Sequence, residues 1–351
     1  MTDRKRFAVL NGGIRVNKPA AADSRKCFEV LTGGLETTVQ DYWGREGYLR
    51  FGVPRSGPMD KLSFQLGNQL VGNDENAAGI EIQFIGPKLR FFNETVIAIT
   101  GANNRPKLNQ KSIPLWQTAV IQPGDILSFS HAEFGARSYI TFAGGIDTPL
   151  VMGSRSTFTR AQLGGFQGRK LMQGDVVYTF IPSQPMYQLL DRIVPNESRP
   201  EFSRLWQVEV NLGPHDDGLT PDDIQQFFTY DWIVSSKSDR IGYRLEGPKF
   251  QFSESARYQS AENGRHPSNT IDYGCSIGSV LLCGHTPTVL LADCPSLTGY
   301  IAPFTVTEQS LRKVGQARPG DIINFKQVIQ SSASNHRNRL HLDKSVSRLL
   351  C

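Results

Sequence analysis

The sequence contains no pattern for joining cysteines or binding a metal. Its five cysteines are odd in number and form no Cys-x-x-Cys pair, so neither a disulfide framework nor a structural zinc site is indicated. Its six histidines show no metal-ligand spacing. The GxxxxGK[ST] phosphate loop, the HExxH metal motif and the GxSxG elbow are also absent. The chain is therefore not expected to be a self-contained ATPase, metalloenzyme or serine hydrolase.

Long apolar runs and basic blocks are missing as well. No stretch of about 18 consecutive apolar residues occurs, so no membrane-spanning helix is expected. The N-terminal stretch has no long apolar segment of a secretory signal, and reduced thiols in a cytoplasmic protein are the simplest interpretation. The formal net charge is +5, but lysines and arginines do not gather in one block, so no nucleic-acid partner is expected.

Glycine and proline are abundant and spread along the chain, with 33 and 20 residues. This distribution, with many short β-branched segments, predicts a mainly β fold with a few short helices. One helix is predicted over 59–71, from its apolar spacing and from Pro58 before it. A second is predicted over 220–228, with Thr220 as N-cap and Asp223 at the third helical position.

Three short blocks occur twice in the same order along the chain. Segments 86–91, 95–100 and 122–129 are echoed by 247–252, 288–293 and 318–325. The order predicts two copies of one mainly β module, and convergent strand-turn chemistry is the alternative. The predicted divisions are an irregular leader (1–27), a first β module (28–182), a linker (183–204), a second β module (205–330) and a polar tail (331–351).

Five polar clusters lie in turns rich in glycine or proline, and these are the candidate ligand-binding segments. In the first, 53–60, free N–H groups at a helix start favour an anion, although a simple helix cap is the alternative. The second, 153–159, precedes a glycine loop at 163–169 that could close over a planar ligand or form an ordinary surface loop.

The other three clusters lie in the second half. Segment 238–244 contains an Asp-Arg pair that is predicted to be a weak surface ion pair. Segment 266–274 combines a histidine, hydroxyls, an amide and a carboxylate, and 293–300 follows an apolar strand, where β scaffolds often place ligand groups. Cys294 is predicted to be inert because the neighbouring Asp293 carboxylate raises a thiol pKa.

These clusters fall within stretches that cover roughly residues 28–326: LTGGLETTVQDYWGREGYLRFGVPRSGPMD, GSRSTFT, LGGFQGRKLMQGD, SDRIGYRLEGPK, HPSNTIDYGCSIGSV and RPGDIINF. In this order they resemble allophanate hydrolase subunit 2, also called carboxyltransferase subdomain A. That family occurs inside urea carboxylase and as the separate type-C subunit of bacterial 5-oxoprolinase. The resemblance implies two cyclophilin-like β-barrel modules with the active site at their junction.

The resemblance also implies an activity. The chain would be one subunit of a biotin-dependent carboxyltransferase that acts on urea or a related small amide. Biotin would arrive on a separate carrier protein, ATP would be used only through partner subunits such as a biotin carboxylase, and this chain would hold no metal. A separate subdomain B protein, of the allophanate hydrolase subunit 1 type, would be the partner, and no membrane is involved.

Site residues follow from the clusters that carry the resemblance. Arginines suit the developing charge on an amide oxygen, and a carboxylate or histidine suits a proton relay. The catalytic candidates are Asp293, Asp272 and His266. The substrate-binding candidates are Arg55, Ser56, Arg155, Ser156, Arg240, Tyr243, Ser296, Thr298 and Tyr300.

Two alternative functions stay open. The chain could be the type-C subunit of an ATP-dependent 5-oxoprolinase, which works with a lactam-hydrolase subunit and without biotin. It could also be a regulatory binding protein that sequesters a kinase inhibitor. SDRIGYRLEGPK favours the 5-oxoprolinase type, whereas LGPHDDGLTPDD, HPSNTIDYG and CPSLTGYIAPFTV favour the urea carboxylase type.

The purified chain alone is expected to be catalytically silent, because it carries no nucleotide, metal or biotin motif. Incubation with ATP, bicarbonate and either urea or 5-oxoproline should release no ADP above background in a coupled assay. Steady turnover by the single chain would contradict the prediction of a split enzyme.

Overall fold

The computed structural model describes residues 23–259 and 264–328, and these segments are built mainly from β-strands joined by short turns. The mainly β prediction with few short helices is confirmed. No helix in the described segments is long and apolar enough to cross a membrane.

The helices are α1 (Lys61–Leu70), α2 (Pro221–Thr229), α3 (Glu254–Gln259) and α4 (Glu308–Gln316), with 3-10 turns at Leu49–Phe51, Thr159–Ala161, Met186–Leu189, Asn196–Ser198 and Asp216–Gly218. The strands of the first half are β1 (Ser24–Thr32), β2 (Glu36–Gln40), β3 (Gly79–Gln83), β4 (Lys88–Phe91), β5 (Thr95–Gly101), β6 (Lys107–Leu108), β7 (Lys111–Ser112), β8 (Thr118–Ile121), β9 (Ile126–Ser128), β10 (Arg137–Phe142), β11 (Ile146–Asp147) and β12 (Val176–Phe180). Those of the second half are β13 (Leu205–Leu212), β14 (Trp232–Val234), β15 (Gly242–Glu246), β16 (Asn269–Gly274), β17 (Ser279–Cys283), β18 (Thr286–Leu290), β19 (Leu297–Tyr300), β20 (Phe304–Val306) and β21 (Ile322–Gln327).

The first half forms two sheets that share one apolar core. One sheet has the strand order β11-β12-β1-β4-β9-β6-β7, and the other has the order β2-β3-β10-β5-β8. Side chains from both sheets form one buried cluster, in which the ring of Phe28 lies 5.2 Å from Phe142 and 5.8 Å from Phe91. Helix α1 packs on β5 and β10 of the second sheet, and its N-cap Asp60 accepts a hydrogen bond from Gln316 of the second half.

The second half contains a closed barrel with the order β13-β20-β17-β18-β15-β14-β21. Its closure is made by β13 and β21, which pair in parallel. Phe227 of α2 fills the barrel interior, stacked 3.8 Å from Phe304 and 4.4 Å from Phe325 between ring centroids. Strands β16 and β19 form a separate two-stranded ribbon.

Both predicted helices are present, and their caps set where they begin. The segment 59–71 contains α1, whose N-cap is Asp60 because its carboxylate accepts the Ser63 N–H. The segment 220–228 contains α2, and Thr220 and Asp223 form the predicted capping box. Helices α3 and α4 were not predicted, although Ser253 precedes α3 and accepts the Ala256 N–H, and Thr307 is the N-cap of α4.

The strand β1 begins at Ser24, inside the predicted leader 1–27. The reason is burial, since Cys27 and Phe28 already lie in the core of the first half. The leader boundary is therefore wrong, while residues 1–22 lie outside the described segments. The predicted tail 331–351 also lies outside them, and the other predicted divisions remain predictions.

The internal repeat is visible as a recurring turn. At 122–125, 172–175 and 318–321 an Asp carboxylate accepts the backbone N–H three residues earlier, at 2.8, 2.8 and 2.9 Å. The copy of this turn at 172–175 also contains a glycine and lies in the first half. It was not one of the blocks that the sequence repeats. Segment 86–91 contains β4, whereas 247–252 contains no strand. Turn chemistry therefore accounts for part of the repetition.

Replacing Phe227 with alanine is expected to lower the free energy of unfolding by about 3–5 kcal/mol, because a cavity would open inside the barrel. The matched control is Phe51→Ala, since Phe51 is 66 % exposed and surface changes usually stay within about 0.5 kcal/mol. Guanidinium unfolding of both variants checks this. Equal losses would show that the stacked rings do not support the barrel.

Candidate active site

A buried ion-pair network joins the two halves. Arg240, in the turn before β15, donates from Nη1 to Glu81 Oε1 of β3 at 2.5 Å and from Nε to Asp293 Oδ2 at 2.8 Å. Its Nη2 donates to the carbonyl of Gly57, before α1, at 2.8 Å. Arg240, Glu81 and Asp293 are all buried, so the guanidinium of one half neutralises a carboxylate of the other in a place without solvent.

The second carboxylate oxygen of Glu81 organises the first half around this contact. It accepts the Tyr139 hydroxyl at 2.9 Å and the Met59 N–H at 2.8 Å. The Tyr139 oxygen in turn accepts the Asp60 N–H at 2.8 Å. Burial, and then the Glu81 and Asp60 carboxylates, raise the Tyr139 pKa well above its usual value, so this phenol stays protonated.

Two further contacts hold the second half on β10. Arg137 donates from Nη1 to the Tyr243 hydroxyl at 2.6 Å and to the carbonyl of Gly315. Gln316, at the end of α4, uses its whole amide: Oε1 accepts the N–H groups of Ala136 and Arg137, and Nε2 donates to Asp60 Oδ2 and to the Arg137 carbonyl. The halves are therefore held in one fixed arrangement.

A second polar cluster lies beside this network and is built on Asp41. The Asp41 carboxylate accepts the Ser154 hydroxyl at 2.7 Å, the Ser156 hydroxyl at 2.6 Å and the Arg155 N–H at 2.6 Å. These contacts fold the 153–157 loop back on itself. The loop presents the Ser156 carbonyl to the Nη2 of Arg45.

Arg45 and Ser56 carry buried donors that the described residues do not satisfy. Arg45 is 1 % exposed, and its Nε and Nη1 have no hydrogen-bond partner within 23–259 and 264–328. The Ser56 hydroxyl is buried and equally unpartnered there, while the Ser56 N–H bonds the Ala292 carbonyl at 2.9 Å. A lost partner for a buried donor costs about 1–3 kcal/mol, so such groups call for an explanation.

The electrostatics of Arg45 tie the two clusters together. Burial lowers the pKa of Arg45, and the Asp41 and Asp293 carboxylates oppose that shift. Arg45 therefore lies within the electrostatic reach of Asp293, whose chain neighbour Ala292 bonds Ser56. Ser56 also has a positive φ of 60°, a sparse conformation for a residue other than glycine. Together these groups can bind a polar ligand with a carbonyl oxygen and an N–H.

The structure places four predicted site residues at this junction: Ser56, Arg240, Tyr243 and Asp293. Arg240 is buried, so the interpretation of 238–244 as a surface ion pair applies only to Asp239, which pairs with Arg160 at 3.0 Å. Tyr243 accepts the bond from Arg137, so its role here is to join the halves.

The predicted residues of the first half divide between the junction and other contacts. Ser156 bonds Asp41 and supports Arg45 through its carbonyl. The Arg155 guanidinium lies 5.1 Å above the Phe180 ring. Arg55 donates to the Trp43 carbonyl at 2.7 Å and pairs with the exposed Glu46.

The remaining predicted residues lie on or beside the β16–β19 ribbon. His266 Nδ1 is 2.9 Å from the Ser268 hydroxyl, and Asp272 is exposed. No hydrogen bond or ion pair between this group and Arg240 or Glu81 is seen in the described part of the chain. In the described segments Asp293 shares no hydrogen bond or ion pair with the other ribbon-side candidates, which are His266, Asp272, Ser296, Thr298 and Tyr300.

The pKa of the Cys294 thiol is raised, and burial rather than Asp293 is the main cause. Burial raises its pKa to about 12, with smaller contributions from Cys275 and Asp293. The thiol is therefore protonated at neutral pH and is a poor nucleophile.

Several junction residues were missed, and some had a signal. Glu81 and Arg137 are charged residues within strands that are otherwise buried, and such residues are rarely buried unless they are paired. Asp41 and Arg45 lie in DYWGREG, which belongs to the stretches of family resemblance but stands outside the polar clusters. Nothing in the sequence marked Gln316, because glutamine is common at the end of a helix and does not indicate a buried contact.

Comparison with known proteins identifies the family. The sequence profile described as "Carboxyltransferase domain, subdomain A and B" matches residues 51–327. The chain belongs to this carboxyltransferase-domain family. Its description names both subdomains, whereas the resemblance pointed to subdomain A alone.

Relatives of this carboxyltransferase-domain chain fall into two groups. It is 42 % identical over 305 residues to urea amidolyase of Saccharomyces cerevisiae, covering 85 % of this chain and 16 % of the relative. It is 29 % identical over 330 residues to the type-C subunit of 5-oxoprolinase from Haemophilus influenzae, covering 90 % of this chain and 97 % of the relative. The chain thus spans about a sixth of the length of the yeast relative.

A solved structure agrees with the sequence matches. The crystal structure of the K. lactis urea amidolyase superimposes with a TM-score of 0.84 and 40 % identity, covering 92 % of this chain and 20 % of that chain. The fold of the carboxyltransferase-domain chain is therefore shared with part of a urea amidolyase.

Replacing Arg240 with alanine is expected to lower the free energy of unfolding by about 3–5 kcal/mol, because Asp293 would lose its ion-pair partner and Glu81 would keep only the longer, 3.6 Å contact with Arg137. The control is Arg160→Ala, which breaks an exposed pair worth about 0–1 kcal/mol. Guanidinium denaturation measures both. A small loss in the Arg240 variant would mean that the halves do not depend on this contact.

Proposed function

We propose that this chain is a subunit of a biotin-dependent carboxyltransferase that carboxylates the nitrogen of urea or a related neutral amide. The observation that carries the proposal is the pair of buried, unpartnered donor groups on Arg45 and Ser56, beside the Asp293 carboxylate; the absence of partners holds for the described residues. Donors of this kind suit an amide oxygen, and a nearby carboxylate suits an amide N–H.

The charges around these donors favour a neutral ligand. Three buried arginines lie among four buried carboxyl groups at the junction, so the described residues there carry no surplus positive charge. An anionic ligand would therefore be drawn from water into a region that repels it. Urea is neutral, whereas 5-oxoproline carries a carboxylate. The buried charged residues of the junction are Arg45, Arg137, Arg240, Asp41, Asp60, Glu81 and Asp293.

Each group has a role in the proposed reaction. Arg45 and Ser56 hold the carbonyl oxygen of the amide and stabilise negative charge that develops on an oxygen during transfer. Asp293, held by two nitrogens of Arg240 at 2.8 and 3.3 Å, keeps lone pairs that can accept the amide N–H. Biotin on a separate carrier protein supplies the carboxyl group. His266 and Asp272 have no part in this arrangement.

The proposal requires further protein parts. A second carboxyltransferase component of the allophanate hydrolase subunit 1 type, a biotin carboxylase and a carrier would supply biotin chemistry and ATP hydrolysis. Support comes from the yeast urea amidolyase, of which the aligned region is only 16 %. The other parts would lie within a longer polypeptide or on separate chains, and this chain alone would be inactive.

A second candidate is the type-C subunit of a 5-oxoprolinase. Its support is the 29 % identity over 330 residues to the Haemophilus influenzae relative, of which the alignment covers 97 %. The higher identity to urea amidolyase, 42 % against 29 %, and the charge balance of the junction favour the first candidate.

The test is reconstitution of this chain with its companion proteins, followed by assays with ATP, bicarbonate and either urea or 5-oxoproline. Urea is expected to be carboxylated. Arg45→Lys should lower the turnover by about 10²–10³-fold, the usual loss for one oxyanion donor, and Ser56→Ala should also lower it.

The matched control is Arg105→Lys, because Arg105 is exposed and its ion pair is with the exposed Glu133. Its turnover should equal that of the unmodified protein, and melting curves should show that all variants are folded. Hydrolysis of 5-oxoproline without carboxylation of urea would replace the proposal with the second candidate.

A further inference from the structure

The Arg45 donors are out of reach in the described conformation. Arg45 is 1 % exposed, and its Nε and Nη1 atoms, unpartnered among the described residues, are shielded from solvent. Part of the cover is a segment that we call the glycine flap, residues 164–168. A Cβ atom at Gly164 would overlap the Arg45 Nη2 atom, so the bare backbone of the flap rests directly on the guanidinium.

The flap is shaped to lie in this place. A Cβ atom at Gly165 would overlap the Thr157 hydroxyl, in the loop that Asp41 holds. Positive φ values occur at Gly164, Gly165 and Gly168, of 65°, 52° and 69°, and at Gln167, of 56°. Side chains with a Cβ rarely adopt this backbone region, and the close approach excludes them at 164 and 165.

The hydrogen bonds of the flap are internal. The Gly168 N–H donates to the Gly164 carbonyl at 2.7 Å, and the Arg169 N–H donates to the Phe166 carbonyl at 3.2 Å. At its base, Phe158 and Leu163 exchange two backbone bonds at 2.9 and 3.1 Å. In the described segments, no hydrogen bond ties the flap to a residue outside 158–169. Apart from Phe166, which packs half-buried against the core of the first half, the flap can therefore move without breaking a hydrogen bond to the rest of the described protein.

We propose that the glycine flap is a movable cover, and that its displacement opens Arg45 to the oxygen of a ligand. The ligand class rests on the proposed function: the carbonyl oxygen of a small neutral amide would take the free Arg45 nitrogens. The flap then closes again over the bound molecule and keeps water away from the junction, where buried donors act most strongly.

The first test needs no substrate. The folded chain is treated with phenylglyoxal, which modifies accessible guanidinium groups, and modification at each arginine is followed by peptide mass spectrometry. Arg137 is the internal control, because it is as buried as Arg45 but lies under no flap. Local opening should make Arg45 react faster than Arg137 by on the order of tenfold or more. Equal rates would mean that only global unfolding exposes Arg45, and the proposal would fail.

The second test changes the flap itself. In Gly164→Ala the added methyl group cannot fit against Arg45, so the flap should stay displaced and Arg45 labelling should rise several-fold. Gly153→Ala is the matched control, since its φ of 79° carries a similar backbone cost and its Cβ would meet nothing within 4 Å. Unchanged labelling in a folded Gly164→Ala variant would overturn the proposal. If that variant does not fold, the comparison of Arg45 with Arg137 decides.

The two proposals can fail separately. Fast labelling of Arg45 together with normal urea turnover in Arg45→Lys would leave the flap standing and remove the proposed function. Slow labelling of Arg45 together with lost urea turnover in Arg45→Lys would overturn the flap proposal and leave the proposed function standing.

Discussion

The rest of the structure depends on one buried contact, the guanidinium of Arg240 between Glu81 and Asp293. A charge that is removed from water must be neutralised where it lies, and here the two carboxylates come from different halves of the chain. Separating the halves would part Glu81 from Arg240 and leave it only the 3.6 Å contact with Arg137 of its own half. The relative position of the sheets and the barrel is therefore fixed by electrostatics as well as by packing, and Gln316 adds a neutral contact that uses four hydrogen bonds.

This constraint also decides what the junction can do. Because Arg240 bonds Asp293, the orientation of the Asp293 carboxylate is fixed. The same carboxylate also interacts electrostatically with Arg45. Because the buried carboxyl groups outnumber the buried arginines by one, the free donors of Arg45 and Ser56 have no excess positive charge around them. A site of this kind distinguishes ligands by hydrogen-bond geometry more than by charge, which suits small amides that differ little in size.

Much of the fold could be predicted from the sequence, because local chemistry determines it. Thr220 and Asp223 form a capping box within four residues, and Asp60 caps α1 within the same distance. The site was less accessible to prediction, since Arg240 and Glu81 are 159 positions apart. Nothing in the sequence shows that residues so far apart form an ion pair. An Asp-Arg neighbour pair also looks the same in the sequence whether the arginine is exposed or buried. Arg45 was missed because whether a donor has a hydrogen-bond partner depends on the residues that surround it in the folded protein, and the local sequence does not show them.

The parallel pairing of β13 with β21 has a consequence for how the protein forms. The first strand of the barrel pairs with β20 on one side, but its other side can pair with β21 only after that strand has left the ribosome, so the barrel closes late in synthesis. Contacts between such distant segments are slow to form. Helix α4 lies immediately before β21 and carries Gln316, so barrel closure and the docking of the two halves belong to the same late event. Burial of the Arg240 guanidinium needs Glu81 and Gly57 of the first half, so we expect it to lose its water in the same event.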